Sequence, residues 1–212
     1  MTFRNLIKRA LLAPFAVFRN RRAAGRIALT FDDGPHPRYS AQVSAILKER
    51  GARATFFLVG ENMLRYPALV QQLREDGHEL ASHSMTHPEM NALEPRQLQH
   101  EVDKMYTLTL PDGSRPLRNR LFRPPKGVVT MSLVWHCARN RIRLVFWNRD
   151  PEDYKAQDSR EILNYFKANV PQSGDIILLH DKTSHIVAAL PQVLAQLRTL
   201  GLQPVTISEL LA

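Results

Sequence analysis

The chain has 212 residues, 44% of them hydrophobic, with 29 Lys and Arg against 20 Asp and Glu for a formal net charge of +9. That length suits one sizeable core, and the lack of a Pro/Gly/Ser-rich linker or composition shift argues against a second domain. Cys137 is the single cysteine, which excludes an intrachain disulfide and a thiolate metal cluster and permits a reducing compartment.

Seven basic residues and no acidic one precede Ile27, so beyond that point 22 basic residues face 20 acidic. The charge is local, and no interleaved aromatic platform follows it, so nucleic acid is not an expected partner. Within residues 1–26, Phe3, Leu6, Ile7, Ala10, Leu11, Phe15 and Phe18 recur at three- and four-residue steps between basic residues, interrupted by Pro14. The apolar run of residues 10–18 is far short of the ~20 residues a membrane span needs. Asn20, Arg21 and Arg22 follow it where a signal-peptide cleavage site needs small side chains. Two readings stand level. One is a helix lying on an anionic membrane face, which places the protein in the cytoplasm or on the inner membrane surface. The other is a helix capping the bottom of the fold, or a solvated tail. Export with an uncleaved N-terminal anchor is the alternative location.

Residues 27–36, IALTFDDGPH, open with the apolar alternation of a buried strand and end in two adjacent carboxylates before a Gly-Pro turn. Neighbouring anions at a strand end repel unless a cation shares them. A helix is predicted over 37–51, with Tyr39, Val43, Ile46 and Leu47 on one face and Gly51 closing it. Residues 54–59 read as a strand, and the helix after it points Leu64, Leu69, Val70 and Leu73 inward. A strand at 78–82 then delivers His83 and His87. Their four-residue spacing, in a helical turn, sets both imidazoles on one side within reach of a single ion. With one carboxylate they make a three-ligand set that leaves positions open for water and substrate. Helices at 94–108, 130–139, 159–169 and 187–200 alternate with strands at 121–123, 143–147, 175–179 and 204–207. Such alternation implies parallel strands and right-handed crossovers. The expected fold is single-domain α/β, a distorted or incomplete (β/α) barrel of about seven parallel strands, with the chemistry at the strands' C-terminal ends.

TFDDGP at 30–35 and HSMTH at 83–87 resemble the first two motifs of the polysaccharide deacetylase family, carbohydrate esterase family 4, also called the NodB homology domain. Arg123, Pro124 and Pro125 match its third motif. Asp150, Asp153 and Tyr154 match the fourth imperfectly, and Leu178 with His180 matches the fifth. All five stand in the family's order. The resemblance implies a catalytic domain at 27–212, preceded by the basic segment 1–26. It implies a metal-dependent hydrolase that removes N-acetyl groups from N-acetylhexosamine units of a polysaccharide, oligosaccharide or lipid-linked glycan. Spacing alone leaves the division of labour between the two aspartates open; the resemblance assigns Asp32 as general base and Asp33, with His83 and His87, as metal ligands. Zinc suits this nitrogen and oxygen set, and manganese, cobalt and nickel are compatible with it.

The resemblance also makes His180 the general acid with Asp153 as its partner, and Arg123 the cation that orients Asp32. Pro124, Lys126, Tyr154 and Leu178 would line the substrate groove, with the Lys126 backbone amide at the oxyanion and Tyr154 and Leu178 around the acetyl methyl. Two positions depart from the family pattern: Lys126 stands where an aromatic residue is usual, and Tyr154 replaces Trp. The alternatives are O-deacetylation of a polysaccharide by the same constellation and a glycan-binding protein without turnover.

Overall fold

Parallel pairing organises the structure, a computed structural model whose described residues are 14–212. Its strands are β1 (Ala16–Val17), β2 (Arg26–Asp32), β3 (Thr55–Leu58), β4 (Glu79–Ser82), β5 (Leu121–Phe122), β6 (Arg143–Val145), β7 (Ile176–His180) and β8 (Gln203–Val205). The helices are α1 (Ser40–Glu49), α2 (Gly60–Arg65), α3 (Pro67–Glu75), α4 (Pro95–Thr107), α5 (Met131–Arg139), α6 (Ser159–Ala168), α7 (Ser184–Thr199) and α8 (Ile207–Leu211). One sheet runs β1-β6-β5-β4-β3-β2-β7, with β8 on β2, and every ladder in it is parallel. The expected incomplete barrel is what forms. Among the described residues a single isolated bridge, Arg149 to Ile177, joins the chain leaving β6 to β7.

Because strand side chains alternate between faces, each strand sends one set of residues outward and one inward. Ile27, Leu29 and Phe31 of β2, with Phe56, Leu58, Ile177 and Leu179, meet the helices in the largest apolar cluster. The alternate set, Ala28, Phe57, Ala81, Leu121, Val145 and Ile176, fills the barrel interior. Continuing two or four residues along these strands carries the inward face to Thr30 and Asp32, His83, Arg123, and Leu178 and His180. The interior therefore changes from apolar at the N-terminal end to polar at the C-terminal end.

Three local expectations are corrected. Residues 14–18, read as part of an amphipathic helix, form a turn and β1, which pairs with Leu144 and Val145 of β6. Phe18 stacks on Phe146 at 4.7 Å, and Arg19 pairs with the buried Asp175 at 3.0 Å. The helix read over residues 1–13 lies outside the described residues. Leu64, expected inward, is exposed because α2 and α3 break at Tyr66 before Pro67, and Met63 takes the buried place. The last strand ends at Val205 and gives way to α8, opened by a reciprocal capping box between Thr206 and Glu209. Ile207 and Leu210 of α8 join the interior cluster and plug the barrel's N-terminal end. No helix among the described residues is long and apolar enough to cross a membrane.

Candidate active site

Arg123 is the pivot of the polar end. It is fully buried inside the barrel, its guanidinium 4.1 Å from the Phe57 ring centre and 5.4 Å from that of Trp147. Its Nη1 donates to Asp32 Oδ1 at 2.6 Å and to Thr30 Oγ1 at 2.8 Å, while Nε and Nη2 donate to the carbonyls of Val145 and Phe146. A buried guanidinium needs this full set of acceptors, and the geometry fixes Asp32 at the end of β2. Asp32 in turn is buried, with Oδ2 3.7 Å from His83 Nε2.

Asp33, His83 and His87 converge, their ligand atoms lying within 4.8 Å of one another. Asp33 Oδ1 is 3.5 Å from His83 Nε2 and 3.4 Å from His87 Nε2. Those spacings match the roughly 3.4 Å separation of tetrahedral ligands with bonds near 2.1 Å. The second oxygen, Asp33 Oδ2, accepts from Lys182 Nζ at 2.5 Å, and Asn62 Nδ2 donates to the Asp33 carbonyl. His83 Nδ1 lies 2.8 Å from the Arg123 carbonyl, an acceptor, so this nitrogen carries the proton and Nε2 presents its lone pair. Burial holds the His83 pKa below its ordinary value, in favour of the neutral ligand form. Asp33 titrates low: burial opposes this, but the His83 and Lys182 charges outweigh it. The donor set, its tautomer and its fixed orientation fit a divalent ion.

The two histidines reach this arrangement differently from the expected helical turn. Residues 83–89 form no helix; Ser84 and His87 take left-handed backbone conformations, φ 69° and 57°, as does Asp33 at 72°. Non-glycine residues in that region carry strain that surrounding bonds must offset. Here the His87 amide donates to Ser84 Oγ, and Thr86 is held through its amide and hydroxyl by the buried Glu101.

Across from Asp32, on the paired strand β7, His180 faces the site from its register partner position. Asp153 binds it twice, accepting from the His180 amide and lying against Nδ1, both at 2.8 Å. Burial pulls the His180 pKa down, but the Asp153 hydrogen bond and charge, with Asp32 and Asp33 beyond, raise it above its ordinary value. Asp150, the other carboxylate of that motif, makes no such contact; its Oδ1 accepts from the Glu152 amide. Tyr154 is half-exposed and meets the His180 ring edge-on at 5.1 Å, while Leu178 is buried two residues before His180 on the same strand face. Pro124 is buried and its carbonyl accepts from Gly127 in a 3₁₀ turn; Lys126 within it is left-handed, with its ammonium paired to Glu89.

Several supports lie beyond the residues expected in the site. Thr30, Asn62 and Lys182 bond to site residues, Glu101 holds Thr86 between the two histidines, and Asp181, directly after His180, is fully buried with Ser40 Oγ donating to Oδ2 at 2.5 Å. A carboxylate closing the apolar run of β7 was a legible signal for the last of these. The others depend on long-range approach.

A three-ligand set that could hold a metal, beside a carboxylate held by arginine and a histidine held by aspartate at the C-terminal end of a parallel barrel, fits the layout of a metal-dependent hydrolase. The chain belongs to the polysaccharide deacetylase family, whose sequence profile matches residues 19–145. It is 36% identical to the peptidoglycan-N-acetylglucosamine deacetylase of Bacillus cereus over 87% of each chain. It is 34% identical to a chitooligosaccharide deacetylase of Rhizobium leguminosarum bv. phaseoli, covering 72% of this chain and 66% of that one. The solved structure of the peptidoglycan deacetylase PdaC from Bacillus subtilis superposes with a TM-score of 0.77 at 30% identity, over 88% of this chain and 89% of that one.

Proposed function

We propose that the protein hydrolyses the N-acetyl group of N-acetylhexosamine units in a glycan, releasing acetate and a free amine. The observation that carries this reading is the placement of Asp32 and the His180–Asp153 pair around the convergence of Asp33, His83 and His87. Those three residues would hold the metal, for which zinc suits the donor set. When bound, the ion polarises a carbonyl and lowers the pKa of a water from 15.7 toward about 7.

The chain's own groups divide the proton traffic. Asp32, fixed by Arg123 and held ready as a hydrogen-bond acceptor, takes the proton from the attacking water. His180, kept protonated by Asp153, gives its proton to the departing nitrogen so that the amine leaves neutral. Arg123 touches no substrate in this scheme; it positions Asp32. Leu178 and Tyr154 form the apolar flank against which the acetyl methyl rests.

Acetate release from N-acetylated oligosaccharides tests the proposal. Metal-loaded protein is expected to release acetate, and chelated protein and the Asp32→Asn variant to fall by about 10²–10⁴-fold. Turnover of acetyl esters but not amides would redirect the assignment to an O-deacetylase. Glycan binding without acetate from either, equal in wild type and variant, would overturn it.

A further inference from the structure

The end of the barrel opposite the candidate active site carries a second feature. Parallel pairing puts every strand's N-terminal end on this face, with α8 at its centre. Around α8 stand six exposed or solvent-facing arginines: Arg21, Arg22, Arg118, Arg120, Arg141 and Arg143. Arg21, Arg22 and Arg143 line one groove with the chain's last two residues, and Arg118 lines the next with Arg53. Arg120 connects the two: its carbonyl accepts from the Arg143 amide, and its Nη1 donates to the Asn140 carbonyl beside Arg141.

The acidic groups on this face are already engaged. Glu209 pairs with Arg53, Glu79 accepts from Ser208 and Asn119, and Asp175 is taken by Arg19 and Arg149. Glu49 at the same end pairs with Arg50, which leaves Glu75 in the second groove, the terminal carboxylate at Ala212 in the first, and Asp112 on the loop entering β5, bonded to Ser114. None of the six arginines has a carboxylate partner among the described residues. All six are arginine rather than lysine, the side chain whose planar fork matches phosphate oxygens.

We infer that this face docks on an anionic phospholipid surface. Two observations favour lipid over nucleic acid. The aromatic that lines the first groove, Phe18, is partly buried and already stacked on Phe146 and none lines the second, whereas the sequence leading into β1 alternates Phe3, Leu6, Ile7 and Leu11 with Arg4, Lys8 and Arg9, a composition suited to a lipid interface. Docking by this end turns Asp32 and His180, at the ends of β2 and β7, away from the bilayer. With seven residues in β2, the cleft stands roughly 20–25 Å beyond the docked end, facing polymer that extends off the membrane rather than sugar at headgroup level.

Sedimentation of the full chain with vesicles of phosphatidylcholine, with and without phosphatidylglycerol, tests the inference independently of deacetylation. Wild type is expected to partition onto the anionic vesicles alone. The triple variant Arg120→Gln, Arg141→Gln, Arg143→Gln is expected to lose on the order of a hundredfold in partitioning. A control triple at the opposite end, Arg96→Gln and Arg160→Gln in the first turns of α4 and α6 with Lys155→Gln in the loop before α6, removes the same charge and is expected to lose little. Thermal melting of both variants establishes that they fold. Equal losses in the two triples would show net charge alone, and no loss in either would show that this face is not the contact. Wild type that ignores anionic vesicles yet shifts a DNA duplex would make nucleic acid the partner; each of these results overturns the inference.

Discussion

His180 and Asp181 are neighbours with opposite electrostatic tasks. His180 is held protonated above its ordinary range by Asp153 against the pull of burial, so a reaction that needs its proton declines only as pH rises through that elevated value. Asp153→Asn removes the charge and lowers the His180 pKa. The alkaline limb of the kcat/KM profile is then expected to move to lower pH; an unmoved limb would remove His180 from the acid's role. Asp181 instead is pushed up to about 7, chiefly by burial, with Asp33 adding to the shift and Ser40 opposing it. In the unfolded chain it ionises near the ordinary 3.8, so between these values the folded protein keeps a proton that the unfolded one has lost. Its contribution to stability is complete below about pH 4 and is lost as pH rises through about 7. Asp181→Asn cannot ionise, and its urea midpoint is expected to fall less than wild type's over that interval. A slope identical to wild type's would contradict the assignment.

Among the elements, the long strands were legible because their apolar runs carry the signal in few residues: β2 and β7 were read within a residue or two of where they lie. The five motifs were legible for the same reason, since each is a short run at a strand's end. Elements decided by partners were not. β1 is two residues long and exists through its register with β6, and its apolar spacing fits a helix equally well. The loop from His83 to His87 was read as helical from spacing alone, whereas Ser84 Oγ and Glu101 hold it in another shape. The capping box Thr206–Glu209 ends β8 at Val205, although the apolar run of residues 204–207 fits a continuing strand. That helix matters to the barrel: Leu210 is fully buried where α8 plugs the interior. Leu210→Ala is expected to destabilise by about 2–5 kcal/mol in urea unfolding. Because the plug and the cleft lie at opposite ends of β2, kcat/KM is expected to change by less than about threefold while the variant stays folded. A large kinetic loss without a stability loss would mean that α8 governs the site.

At the scale of the whole molecule, the proposed metal ligands tie together segments that meet only in the folded chain. Asp33 leaves β2 and the two histidines leave β4, so the unfolded chain offers no comparable site. An ion held there would bind the native state alone and stabilise it by mass action. At a free metal concentration about 1,000 times Kd the gain is about 4 kcal/mol. In a domain of this size that corresponds to a rise in melting temperature of roughly 8–16 °C. Protein stripped by a chelator and dialysed free of it is expected to melt lower by that amount, and zinc added back to restore the difference. His87→Ala is expected to abolish the shift, because the histidine is partly exposed and its loss removes a ligand without emptying the core. Asp32→Asn is expected to keep it, because Asp32 is held by Arg123 and supplies no atom to the three-ligand set. The two variants thus separate ligand from base by a readout that requires no substrate. A shift that survives His87→Ala would remove that histidine from the ligand set, and one that disappears in Asp32→Asn would make Asp32 a ligand instead of the base.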